Sequence, residues 1–167
     1  MTLMPLCFLD ASAWSKCYTG ESGWDVLDEL FALAGADRHC LLVSTTIGYA
    51  EVVAVIVRLR NRTSLTNEEM DGLLRRIQAD ASALIWMNVP SDAFEQCLSL
   101  IERYSLNATD AALLYSLLRF QRRLQQMQVP LWLVASDRRL LHAAAAEGIA
   151  CLDPEVSSPR EVRGLLS

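Results

Sequence analysis

Short apolar runs alternate along this chain with longer segments whose apolar positions recur at helical spacing. The runs predict strands at 6–9, 41–44, 84–87 and 131–134, with a short final one at 149–151. The longer segments predict helices over 12–18, 24–33, 47–60, 67–79, 92–104, 109–126 and 138–147. The third of these is apolar nearly all round its first three turns, which predicts a buried helix. Gly148 fits a helix stop before the last strand. Strands alternating with helices imply an α/β fold with a mostly parallel sheet. Residues 1–153 read as one domain. Pro154, Ser157, Ser158 and Pro159 mark 154–167 as a C-terminal tail expected to be partly disordered.

Composition narrows the class. With 167 residues, 52% of them apolar and 21% charged, the chain can bury a sizeable single core. It holds no run of the ~18 apolar residues that spanning a bilayer requires, and its start, MTLMPLCFLD, lacks the basic and long apolar regions of a signal peptide. No membrane association and a cytoplasmic location are therefore expected. The five cysteines are scattered without a C-x-x-C pair, as buried reduced thiols would be. Trp14, Trp24, Trp86 and Trp132 sit among apolar residues and read as core. The net charge of −5 gives no overall field for nucleic acid, so any RNA contact must be local.

Four acids change the picture. Asp10 follows LCFL, Glu51 lies in STTIGYAEVV, Asp110 in LNATDAALL and Asp137 in LWLVASDRRL. Carboxylates in apolar settings are costly to bury unless a cation pairs with them, and no matching set of Lys or Arg lies beside these four. A parallel sheet joined by right-handed crossovers puts all strand C-termini on one edge. Asp10 and Asp137 follow strand ends, Glu51 lies near a helix start after the second strand, and Asp110 begins the helix that leads into the fourth. All four are thereby predicted at one edge, where ligands of open α/β sheets bind. Hard oxygen donors of this kind suit Mg2+ or Mn2+, whereas Zn2+ favours His or Cys.

Each acid also has an ordinary reading. Asp10 and Asp137 stand where helix N-caps would stand, and Asn107 with Asp110 resembles a capping box. Glu51 has apolar helical neighbours, with only Arg58 two turns on to partner it. Ser12, Thr45, Thr109 and Ser136 could orient the carboxylates, or could simply cap helices. Arg138 and Arg139, directly after Asp137, are the basic residues placed to meet a phosphate, with Lys16 a weaker candidate. Arg75–Arg76 and Arg122–Arg123 read as solvated helix faces.

At these residues the chain resembles the PIN-domain family, and within it the VapC-type ribonuclease toxins. FLDASAW is similar to the family's strand-Asp-x-Ser opening, and STTIGYAEVV to its Ser/Thr-rich helix start with Ala-Glu. LNATDAALL is similar to the segment ending in Asp-Ala, and LVASDRRLLHAAAAEGI to its late Asp-x-x-Leu stretch. The family often has Thr or Ser two residues before the late Asp, where this chain has Ala135 and sets Ser136 adjacent instead. The resemblance spans nearly the whole chain. It implies a three-layer fold with a five-stranded, mostly parallel sheet flanked by helices, dependence on Mg2+ or Mn2+, and endoribonuclease activity. For toxins it implies homodimers and a cognate antitoxin protein as partner.

On this reading Asp10, Glu51, Asp110 and Asp137 are both metal ligands and catalytic residues for hydrolysis of RNA phosphodiesters. An aspartyl-phosphate phosphatase would want a second acid two residues after Asp10, where Ser12 stands. A receiver domain would want paired acids after the first strand and a Lys after a late one, and neither is present. The remaining alternative is a catalytically silent PIN-like module that binds RNA or protein.

Overall fold

The computed structural model describes residues 3–35 and 38–166; Met1, Thr2, Ala36, Asp37 and Ser167 lie outside it. Five short strands, β1 (Leu6–Leu9), β2 (Leu41–Ser44), β3 (Ile85–Trp86), β4 (Leu131–Val134) and β5 (Ala150–Leu152), form one parallel sheet in the order β3-β2-β1-β4-β5. The register sets Leu6 of β1 opposite both Leu41 and Leu131, so the carboxyl ends of the central strands are level. β1 is buried along its whole length, as a strand covered on both faces must be.

Alternate strand residues feed two cores. Cys7, Leu9, Leu42, Val134 and Leu152 point to one face. There they meet α1 (Ala11–Trp14), α2 (Lys16–Thr19), α3 (Trp24–Gly35), α4 (Thr46–Arg62) and α5 (Asn67–Ser82). Leu6, Phe8, Val43, Leu131 and Leu133 point to the other. Their partners are α6 (Ala93–Gln96), α7 (Leu98–Tyr104), α8 (Ala108–Gln126) and α9 (Arg138–Ala146). The result is a three-layer α/β fold. The chain runs outward from β1 through β2 to β3 under one layer of helices, then returns to β4 and β5 under the other. The strand order therefore reverses between β1 and β4, the place at the carboxyl edge where ligands of open α/β sheets bind.

Local chemistry explains the boundaries. Gly148, with φ +86°, takes the left-handed position after α9, and the N–H groups of Gly148 and Ile149 donate back to Ala145 and Ala144. The expected helix over 12–18 is two short segments about Ser15, whose backbone is itself helical. The segment over 92–104 likewise divides at Cys97. Strand β3 is only two residues long because it pairs with β2 alone at the sheet edge.

Three expectations need correction. The C-terminal tail is ordered: α10 (Pro159–Leu166) buries Val162 and Leu166 against α3. The signal was present as Ser158-Pro-Arg-Glu161, a capping box with proline at the first helical position. Ser158 and Glu161 do exchange side chain-to-backbone hydrogen bonds, of 2.7 and 3.3 Å. Next, α4 is not buried all round: Gly48, Val52 and Ile56 are buried, Tyr49, Val53 and Val57 pack half-buried against the same core, and Ala50 is exposed. Finally, Trp14 is fully buried, but Trp24 and Trp86 are 48% and 41% exposed, so two of the four tryptophans lie at the surface. Four of the five thiols are buried and none is in a disulfide. No helix among the described residues is long and apolar enough to cross a membrane.

Candidate metal and active site

Asp10 is the first residue beyond β1, and its N–H still donates to Val134 of β4 at 3.0 Å, which places it at the point of strand reversal. It caps α1 by accepting the Ser12 N–H at 3.0 Å and also takes the Ser12 hydroxyl proton on the same oxygen. Only 8% of the residue is exposed. Desolvation therefore raises its pKa above the ordinary carboxylate value, partly offset by the Ser12 hydrogen bonds; the charge of Asp137 adds to the rise.

Asp10, Glu51 and Asp110 line one small pocket with Thr45, Thr109 and Gly48. Its volume of about 10 Å³ suits a single ion or water. Thr45 caps α4 by accepting the Gly48 N–H at 3.0 Å, which sets the first turn of the helix that carries Glu51. Space at Gly48 is tight. A Cβ would stand 3.1 Å from the Ser44 hydroxyl, which itself donates to Leu9 at 2.8 Å and ties β2 to β1. Glu51 faces solvent at the mouth; desolvation and the charge of Asp10 raise its pKa, against a lowering by Arg58.

Asp110 begins α8. Its N–H donates to the Asn107 side chain at 2.8 Å, and its carboxylate accepts the Asn107 amide at 2.8 Å. Asn107 is thus both cap and carboxylate holder, a role that sequence reading reduced to a cap. Desolvation first, then the charges of Asp10, Asp137 and Glu51, push Asp110 up to about 6. The charges of all three other acids thus act on Asp110.

Asp137 differs from the other three. It is the N-cap of α9, with Oδ1 accepting from Arg139 at 2.8 Å and Leu140 at 3.1 Å, and it does not line the pocket. Its charge still reaches Asp10 and Asp110. Among the hydroxyls, Ser12 joins Asp10 to the loop after β4, while Thr45 caps α4 and Thr109 lines the pocket. Ser136 does not orient a carboxylate: its buried hydroxyl has no hydrogen-bond partner among the described residues, and only its N–H is engaged, by Ser12.

Of the basic candidates, Arg138 and Arg139 are exposed on the first turn of α9, outside the pocket. Lys16 is misassigned as a substrate contact. It is 3% exposed and held by Glu155 at 2.6 Å and Glu21 at 3.6 Å, so it fastens the C-terminal segment to α2.

Among the described residues no group of three or more His, Cys, Asp or Glu side chains is gathered closely enough to hold a metal ion as the side chains stand. The polar side chains of the pocket nonetheless suit a hard divalent cation: Asp10, Glu51, Asp110, Thr45 and Thr109 offer oxygen alone, beside the apolar Phe8, Leu9, Ile47, Val89 and Leu113, and desolvation and mutual repulsion raise the proton affinity of the carboxylates. No family model matches the chain, and no curated protein matches it. In structure it is similar to the solved protein PAE2754 from Pyrobaculum aerophilum. The TM-score is 0.63 over 97% of this chain and 99% of that one, at 14% sequence identity. A likeness at that identity carries the fold and not the activity.

Proposed function

We propose that the protein is a divalent-metal-dependent endoribonuclease of the PIN type. The observation that carries this reading is the meeting of Asp10, Glu51 and Asp110 at one small pocket on the carboxyl edge, where the strand order reverses. Asp10, Glu51 and Asp110 would hold Mg2+ or Mn2+, with Asp137 acting at longer range on Asp10 and Asp110. A bound divalent ion supplies Lewis-acid stabilisation of charge on a phosphodiester and lowers the pKa of water. The chain's own part is to position the carboxylates. Ser12 and Asn107 fix two of them by hydrogen bonds, and Thr45 sets the helix that presents the third.

The ordered resemblance of FLDASAW, STTIGYAEVV, LNATDAALL and LVASDRRLL to VapC-type toxins supports RNA as the substrate. It also supports a homodimer paired with an antitoxin protein, and the scattered free thiols support a cytoplasmic location. One observation favours a second reading, a silent PIN-like binding module: the carboxylates are not drawn together into a finished cage. Incubation of end-labelled RNA with the protein in Mg2+, Mn2+ or EDTA separates the two. Cleavage that needs the metal is expected, and RNA left intact in both metals sinks the nuclease reading.

A further inference from the structure

Without a metal ion the acidic pocket repels a polyanion, so binding of a phosphodiester in that state rests on groups outside it. A larger cleft of about 420 Å³ adjoins the pocket and is lined in part by Trp86, Asn88, Arg119, Phe120 and Arg123. That volume lies within the range of small-ligand sites. The same two segments build both features. Val89 and Leu113 line the acidic pocket, while Asn88 and Ser116, one position away and one helical turn away, line the cleft. Along α8, Arg119 and Arg123 lie about 13 and 20 Å from Asp110 at 1.5 Å per residue.

The cleft brings two guanidinium groups, Arg119 and Arg123, to one wall, in a chain whose net charge is −5. Arg123 makes no ion pair among the described residues. Arg119 reaches Asp92 at 3.3 Å, but both groups are about half exposed, so a phosphate can replace that partner at little cost. Between them Phe120 is half-buried, and at the rim Trp86 stays 41% exposed while its ring is held 6.2 Å from Tyr49, edge to face. Guanidinium groups beside aromatic rings are the equipment of single-strand recognition, because an unpaired base offers a π-face that a duplex keeps stacked.

We infer that this cleft binds a single-stranded segment of RNA flanking the cleaved bond, its phosphates on Arg119 and Arg123 and a base against Phe120 or Trp86. The choice of RNA rests on the nuclease reading above. The test is anisotropy of a labelled single-stranded RNA oligonucleotide, titrated with the whole protein in EDTA so that binding is read without cleavage. The double variant Arg119→Ala/Arg123→Ala should bind about 10-fold more weakly, and its log affinity should fall less steeply with log salt, by about 1.4 for two phosphate contacts. Trp86→Ala should also weaken binding about 10-fold, with recovery in Trp86→Phe. Arg122→Ala, one residue from Arg123 but outside the cleft, should leave affinity within about two-fold of wild type. Unchanged affinity and salt slope in the double variant would overturn the assignment. So would equal loss in Arg122→Ala, equal binding of a duplex of the same length, or no binding of RNA by the wild type. Cleft-dependent binding without metal-dependent cleavage would uphold the cleft and sink the nuclease. Metal-dependent cleavage with cleft-indifferent binding would do the reverse.

Discussion

Ser12 holds the backbone of Asp137 across 125 positions of sequence, its hydroxyl oxygen accepting the Asp137 N–H at 3.2 Å. The same oxygen accepts the Ser136 N–H at 2.9 Å and gives its proton to Asp10. One hydroxyl therefore locks the loops after β1 and β4 together at the place where the strand order reverses. Ser12→Ala would leave two backbone donors without this partner and Asp10 without a stabilising hydrogen bond. A loss of about 1–3 kcal/mol is expected in urea unfolding. A variant as stable as wild type would show that the bridge contributes nothing.

The three pocket carboxylates should matter more to activity than Asp137. Asp10→Asn, Glu51→Gln and Asp110→Asn keep shape but remove the charge that the proposed site would use to hold a cation, so each should abolish most RNA cleavage at limiting Mn2+. Asp137→Asn retains a good N-cap for α9 and acts at longer range, so a fall of roughly 10-fold is expected. Cleavage at the wild-type rate by all three pocket variants would refute the site.

Stability without metal should fall as pH rises. Asp110 is raised to about 6 in the fold, against about 3.9 for an unfolded aspartate. Between those values the folded state binds more protons than the unfolded one, so unfolding free energy declines from about pH 4 to about pH 6 and then levels. The raised pKa values of Asp10 and Glu51 act in the same direction. Asp110→Asn should therefore gain stability relative to wild type on going from pH 4.5 to 7.5 in EDTA. Parallel melting temperatures for the two proteins across that range would rule the effect out.

Lys16 provides a contrast. Its buried ammonium fastens Glu155, so Lys16→Met should alter melting temperature while leaving RNA affinity in EDTA within about two-fold of wild type. A large loss of RNA affinity in a well-folded Lys16→Met protein would return this residue to the substrate path.

What the sequence made legible was whatever rests on topology. Asp10, Glu51 and Asp110 converge because strand ends and helix starts of a parallel sheet share an edge, and that follows from the alternation of apolar runs alone. What stayed hidden depends on side-chain reach. No pattern tells that Ser12 meets residues 136 and 137, or that Asn107 grips the Asp110 carboxylate as well as its N–H. Hydropathy placed the whole of α4 in the core because it counts Ile47 and Val55 along with Val52, Val53 and Ile56, without telling which side of the helix packs. Pro154 and Pro159 read as a loop, although Pro159 opens α10 and Ser158 with Glu161 already spelled a helix start.

Paired melts show whether Asp10, Glu51 and Asp110 together hold one divalent cation. A cation that binds only the folded state at ~100 times its dissociation constant adds about 2.7 kcal/mol. For a chain of this size that is a rise of roughly 5–10 °C in melting temperature. Wild-type protein in millimolar Mn2+ should show that rise over the same protein in EDTA, and Asp110→Asn should show little of it. No metal-dependent shift in the wild type, or an equal shift in the variant, would contradict the site.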